Sequence, residues 1–344
     1  MDQTIGTMVE QLPHIMVLAL GGFLLATLLT PIYTFFAYRY KFWKRQRTNS
    51  TTGEALSVFN KLHADKFKRN IPTMAGMVFL VSIVIITLVF NWDRGQTYLP
   101  LAALIGGGIV GLLDDIINLR SNGKGIAGLR SSVKFAMITF LGLFLGWFFY
   151  YKLGVHSVYV PFYGDWTIEW WIVPIFAFAV VATGNAVNIS DGLDGLAGGL
   201  LAISYMAFGV IALIQGQYIL SAYTFTVVGA LLSYLWFNIY PARFFMGDVG
   251  SFSLGASLGV VAMLTDSLFL LPIIGIIFVV EAGSSAIQIF SKKVFGRKIF
   301  LSAPIHHHLE ASGWPETKVT MRFWVIGSVA ALAGIVVALL GGHI

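Results

Sequence analysis

Ten runs of mostly apolar residues divide this chain, each about long enough to cross a bilayer as a helix. They lie at about 15–38, 73–90, 98–117, 133–151, 169–187, 192–214, 218–237, 249–265, 267–290 and 320–341. A spanning helix needs about 20 such residues, set by a hydrocarbon core ~30 Å thick. A membrane β-barrel would instead alternate apolar and polar residues over ten-residue segments. These runs are continuously apolar, so the expected fold class is all-α, a polytopic integral membrane protein of about ten helices. Composition supports this. Of 344 residues, 11% are charged and 57% hydrophobic, against roughly 25% charged in a soluble domain. So few charges cannot cover a soluble surface, and so apolar a chain does not stay disordered. The absence of cysteine excludes disulfides, thiol catalysis and cysteine-based zinc sites. The first run follows Asp2 and Glu10 rather than a basic stretch and is too long for a secretory signal, so a retained span is expected.

The basic residues orient the spans. Of 22 lysines and arginines, only Arg94 and Lys152 fall in even-numbered loops; the other 20 fall in 39–72, 114–134, 185–195, 238–250 and 291–322. The positive-inside rule puts those five loops in the cytoplasm and both termini outside. The net charge of +6 is then a topology signal and needs no nucleic acid to explain it. In the longest outer loop, Val158-Tyr159-Val160 and Phe162 precede Gly164-Asp165, a pattern expected to form a small β-hairpin. No internal repeat or low-complexity linker breaks the chain, so residues 1–344 read as one membrane-embedded domain whose cytoplasmic loops form the site.

Acidic residues close to membrane helices are costly and point to function. Asp114, Asp115, Asp191, Asp194 and Asp248 all fall at cytoplasmic helix ends. In Gly111-Leu112-Leu113-Asp114-Asp115, adjacent carboxylates repel and a helix C-terminus disfavours them further. Mg²⁺ or Lys134 would compensate; a solvated helix end is the plain alternative. In the segment Asn185 to Gly195, a helix would place Asn185, Asn188, Asp191 and Asp194 on one face. Such a stripe suits a polar ligand. Asp248 lies between Gly247 and Gly250, just before an apolar run. It is either an N-cap or an oxygen ligand for Mg²⁺ shared with substrate phosphates. His306, His307 and His308 are consecutive, so a regular helix cannot aim them at one zinc ion. Imidazoles there can instead donate to phosphate or carboxylate oxygens. Lys68 and Arg69 stand before the second span, placed to reach the other loops. Glu281 falls inside the ninth run, followed by Gly283-Ser284-Ser285. A transporter would need such an acid at mid-bilayer; a bend bringing it to the cytoplasmic cavity fits an enzyme. Gly106-Gly107-Gly108 reads as close helix packing.

Five patterns occur in order: Pro72-Thr73-Met74-Ala75-Gly76, Leu113-Asp114-Asp115, Asn185 through Ala197, Phe245-Met246-Gly247-Asp248-Val249-Gly250-Ser251, and Ala303-Pro304-Ile305-His306-His307-His308. Together, over about residues 60–340, they resemble the polyprenyl-phosphate N-acetylhexosamine-1-phosphate transferases. Gly313-Trp314-Pro315-Glu316 and Arg322-Phe323-Trp324 after the histidines resemble the muramoyl-pentapeptide branch. Departures are Ala75 for a glycine, Asn118 where that branch often has lysine, and Ser132 where arginine is common; residues 40–60 have no counterpart. The resemblance implies a Mg²⁺-dependent enzyme of peptidoglycan synthesis in the cytoplasmic membrane. It would act on UDP-MurNAc-pentapeptide and undecaprenyl phosphate, giving lipid I and UMP, and would form a homodimer. It implies that Asp248 ligates Mg²⁺, that Phe245 stacks on uracil, and that Asn188 and Asp191 serve the nucleoside and phosphates. Asn185, Asp194 and Asn238 would belong to the same substrate pocket. Lys68, Lys134, His306, His307 and His308 would face phosphate or sugar, and Asp114 and Asp115 the lipid phosphate. The alternatives are a UDP-GlcNAc donor within the same family, and a membrane transporter outside it.

Overall fold

The computed structural model describes residues 2–43, 70–120 and 128–342. Its helices are α1 (Asp2–Arg39), α2 (Gly76–Phe90), α3 (Tyr98–Arg120), α4 (Ser131–Leu153), α5 (Ile172–Ser190), α6 (Leu196–Ile214), α7 (Tyr218–Asn238), α8 (Gly247–Leu264), α9 (Ile276–Phe295), α10 (Ile305–Ala311) and α11 (Glu316–Leu340). The chain is an all-α, multi-pass membrane protein. Every expected run falls on a helix, yet among the described residues eight helices are long and apolar enough to span by themselves. The two exceptions have physical causes. At 15 residues α2 reaches only about 22 Å. Its expected first residues lie outside the helix instead: Met74 has a φ of +74°, Ala75 N–H donates to the Phe245 carbonyl at 3.0 Å and Gly76 N–H to that of Met246 at 2.9 Å. The ninth run is divided at Gly275, after the single turn Leu271–Ile274, and α9 carries a polar stripe described below.

α8 lies at the centre, buried along almost all its length and packed on α3, α5, α2 and α6. Small residues make this possible. A Cβ added to Gly107 would strike the Phe252 carbonyl, and one on Gly111 the Asp248 carbonyl, so α3 runs against the α8 backbone itself. In a bilayer, where apolar surface alone gives helices no reason to associate, such close packing is what holds them together. Peripheral α1, α4 and α11 expose side chains such as Leu28, Phe140 and Val325, as lipid-facing surfaces require.

The expected hairpin is present. β1 (Ser157–Val160) pairs antiparallel with β2 (Gly164–Thr167), Tyr159 opposite Asp165. It connects the far ends of α4 and α5. Tyr159 ties it down, its N–H to Asp266 Oδ1 at 2.9 Å and its hydroxyl to the Gly341 carbonyl at 2.8 Å. The opposite end of the bundle gathers the C-termini of α3, α5 and α9 with the N-termini of α4, α8 and α11.

Candidate active site

At that end the chain enters α8 through Gly247, whose φ of +73° is costly for any residue with a side chain. Asp248 therefore sits in the first turn, where the helix dipole favours a carboxylate. It is not the N-cap; Met246 is, without a side-chain cap bond. Because Gly111 lets α3 touch α8 at Asp248, the next turn of α3 brings Asp114 and Asp115 to the same place. Both acids are buried, at 3% and 0% exposure, which removes the solvated-helix-end alternative.

Lys134, from the first turn of α4, lies between two carboxylates. Its Nζ is 3.3 Å from Asp114 Oδ2 and 3.2 Å from Asp248 Oδ2. The other Asp114 oxygen accepts the Leu129 N–H at 2.6 Å. Asp115 Oδ2 accepts the Val249 N–H at 3.0 Å, satisfying one of the amides that a helix N-terminus leaves open. Each lysine–carboxylate attraction is worth about 5 kcal/mol at an effective dielectric near 20, before desolvation is subtracted. Two carboxylates against one ammonium leave the cluster anionic, so it suits a further cation. No group of three or more acidic or histidine residues forms a complete metal cage among the described residues. Mg²⁺ characteristically takes only one or two carboxylates and completes its shell with water and substrate phosphates. The donor set of Asp248 with Asp114 beside it fits that pattern.

The expected Asn–Asp stripe is interrupted. α5 ends at Ser190, and Gly195 at φ +75° turns the chain into α6. Asn185 is half-buried and donates to its own helix, to the Val181 carbonyl at 2.7 Å. Asn188 Nδ2 donates to Ser251 Oγ at 2.8 Å, linking α5 to the first turn of α8. Asp191 is half-buried just past the helix end. Asp194 turns inward because backbone partners converge on it. Its Oδ2 accepts Ala242 N–H at 2.9 Å, and its own N–H donates to Glu316 Oε1 at 2.7 Å. Asn238 is likewise buried, accepting the Gly195 N–H at 3.0 Å and donating to the Phe244 carbonyl at 2.9 Å. These two hold the pocket wall together. Phe245 is half-buried in the extended segment, its N–H on the Pro72 carbonyl at 2.8 Å. Lys68 lies outside the described residues.

The three histidines point three ways, as 100° steps along α10 require. His306 is fully buried, Nδ1 2.7 Å from Glu281 Oε2. His307 Nδ1 is 2.8 Å from Glu310 Oε2, and His308 Nδ1 accepts the Leu301 N–H at 3.2 Å. Sequence reasoning noticed Glu281 as an acid within a span but did not pair it with His306. Ser251 and Glu316 fall within the quoted patterns and Glu310 two residues past the histidines, but nothing in the sequence assigned a role to any of the three.

Residues 97–266 match the family model described as Glycosyl transferase family 4. A phospho-N-acetylmuramoyl-pentapeptide-transferase of Chloroflexus aggregans is 38% identical over 349 aligned residues, 97% of this chain and 92% of the relative. One from Geobacillus thermodenitrificans is 38% identical over 330, covering 94% and 97%. One from Levilactobacillus brevis is 39% identical over 280, covering 79% and 85%. The chain belongs to the phospho-N-acetylmuramoyl-pentapeptide transferase family. It is thus an enzyme, a phosphoglycosyl transferase. Within this transferase the family-model match runs from the start of α3 to the end of α8 and so contains Asp114, Asp115, Lys134, Asn188, Asp191 and Asp248. Glu281 and the α10 histidines lie beyond it, in the part aligned with the full-length relatives.

Proposed function

We propose that this transferase moves phospho-MurNAc-pentapeptide from UDP-MurNAc-pentapeptide to undecaprenyl phosphate. The products would be UMP and lipid I, in the first membrane step of peptidoglycan synthesis. The observation that carries this is the Asp114–Lys134–Asp248 cluster, beside the buried Asp115 and the end of α5. Phosphoryl-type transfer asks for positioning and charge neutralisation more than for covalent chemistry. Lys134 meets phosphate charge directly, with Lys68 and the partly exposed His307 and His308 as further donors. Asp248, with Asp114 beside it, would hold Mg²⁺, which when bound would neutralise the pyrophosphate and the departing UMP. Phe245 stacks on the uracil, and Asn188 and Asp191 hold the nucleoside–phosphate side, with Asn185, Asp194 and Asn238 shaping that pocket.

The acceptor phosphate has a second pKa near 6, by analogy with phosphomonoesters, and is largely a dianion at pH 7. It needs no strong base. Its oxygen attacks the sugar-bearing phosphorus in line, the new P–O bond forms, and the bond to UMP breaks with its electron pair leaving on UMP. Asp114 and Asp115 orient that phosphate. The site end carries Lys134, Lys292, Lys293 and Lys318 and the hairpin end Lys152, which supports a cytoplasmic site in the inner membrane. A homodimer belongs to the same proposal.

The test supplies purified enzyme, Mg²⁺ and undecaprenyl phosphate with UDP-MurNAc-pentapeptide or UDP-GlcNAc in turn. Lipid product and UMP are expected from the first donor. Asp248→Asn should abolish Mg²⁺-dependent UMP release. Lipid product from UDP-GlcNAc alone would sink the donor assignment, and full activity in the variant would sink the metal assignment.

A further inference from the structure

One face of α9 is polar along its length: Glu281, Ser284, Gln288 and Ser291 are all buried, while Val279, Val280, Ile287, Phe290 and Val294 are exposed. Spacings of three and four place the polar four on one side of the helix. Each bonds α10 or the segment leading to it. Ser291 Oγ donates to the Arg297 carbonyl at 2.9 Å. Gln288 accepts the Ile299 and Phe300 N–H groups, both at 3.0 Å, and donates to the Phe300 carbonyl at 3.0 Å. Ser284 Oγ accepts the Ile305 N–H at 2.9 Å. The series ends at Glu281 and His306, both at 0% exposure.

The His306 ring then meets the α5–α6 turn. A Cβ on Gly192 would collide with its Nε2, so the turn approaches the ring backbone-first. From other sides the turn is held by Glu316, by Thr320 Oγ1 on the Asp194 carbonyl at 3.2 Å, and by Trp324 Nε1 on the Gly195 carbonyl at 3.2 Å. A histidine this buried does not touch substrate as it stands; it acts through what it packs against.

We propose that Glu281 is a positioning residue for the transfer: it orients His306, and the His306 ring sets the Asp191–Gly192 turn that holds the donor. This rests on the reading above that the turn contacts the donor. The carboxyl oxygen 2.7 Å from Nδ1 shares a hydrogen bond with the ring and so fixes both the ring orientation and its tautomer, hence the state of Nε2. Carboxylates that orient a functional histidine this way at metal centres typically lose about 10–100-fold in affinity or activity when replaced.

The test uses the full-length enzyme in lipid nanodiscs. It measures kcat, the KM values of donor and lipid phosphate, UMP affinity by calorimetry, and the unfolding midpoint. The variants are Glu281→Gln, Glu281→Ala, His306→Asn and the double Glu281→Gln/His306→Asn. Glu281→Gln should raise the donor KM and weaken UMP binding about tenfold, with the lipid KM within about twofold and the unfolding midpoint unmoved. Glu281→Ala should do more. The double variant should be no worse than His306→Asn, since one residue acts through the other. Donor KM and UMP affinity both within twofold of wild type in Glu281→Gln would overturn the proposal. So would additive losses in the double variant, or equal rises in both KM values with a lowered midpoint. The wild-type donor panel reports separately on the function itself. The UMP ratio between variant and wild type is read whichever UDP-sugar that panel selects.

Discussion

Gly111→Ala tests whether the carboxylates of α3 are positioned by packing on α8. The added Cβ would meet the Asp248 carbonyl and the Val249 nitrogen, both backbone atoms of the first turn of α8. No side chain can rotate aside. Carbon contacts are comfortable only from about 3.5 Å, so α3 must retreat from α8 by roughly an ångström. Overpacking of this kind costs typically ~1–3 kcal/mol, which α8's many other contacts can absorb without unfolding. Geometry absorbs less. Asp115 bonds Val249 N–H at 3.0 Å and Asp114 shares Lys134 with Asp248, so separating the helices opens both links together. A displacement of about an ångström can cost ~100-fold in rate. Gly106→Ala is the control, because its Cβ would first meet the flexible Leu141 side chain rather than backbone. With UMP release as the assay and thermal unfolding alongside, Gly111→Ala should lose about 100-fold in kcat, and Gly106→Ala about threefold at most. Wild-type turnover in a folded Gly111→Ala enzyme would refute the packing argument.

Lys134→Met keeps the apolar stem and removes the charge shared by Asp114 and Asp248. Breaking a buried ion pair costs ~3–5 kcal/mol, and with 21% of the lysine side chain exposed the lower end is expected in denaturant unfolding. Added Mg²⁺ should restore more stability to this variant than to wild type, and an unchanged unfolding midpoint would show that Lys134 compensates nothing. At the hairpin end, burial lifts the Asp266 carboxyl to about 6, with Asp165 adding to the shift and the Tyr159 N–H opposing it. The native state then holds this proton more tightly than the unfolded chain, so wild-type stability falls as pH rises from about 4 to 6. Asp266→Asn removes that fall, and the left-handed backbone there (φ +50°) suits asparagine. Its unfolding midpoint relative to wild type should be higher at pH 7.5 than at pH 4.5; a difference that does not vary with pH would contradict the assignment.

The spans were legible because hydrocarbon imposes one rule on every residue of a crossing helix. The hairpin was legible from its alternation. What failed at element level failed where a backbone had another partner. Residues 73–75 read as helix, but the Thr73 amide pairs with the Phe42 carbonyl, and the Ala75 and Gly76 amides pair with the carbonyls of Phe245 and Met246. Spacing puts Asn185 to Asp194 on one face only if a helix runs through them, and it cannot show that Gly195 adopts a positive φ and swings Asp194 into the wall.

The acids show where sequence reasoning stops. That Asp114, Asp115 and Asp248 converge follows from their place at helix ends on one side of the membrane. Which oxygen bonds inward and which is left for a ligand depends on helix separation, and Gly111 sets that separation from the backbone. Glu281 shows the same limit from the other side. Its burial cost makes it conspicuous, and the structure shows Ser284, Gln288 and Ser291 continuing the same buried face. The partner of that face is a loop without periodicity, in which nothing singles out His306 from His307 and His308. Only their successive turns around α10 separate them, one onto a buried carboxylate, one onto Glu310 and one onto a backbone amide. Three identical residues therefore enter the site with different environments. Function in this segment has to be assigned to each histidine through its partner, not to the run as a unit.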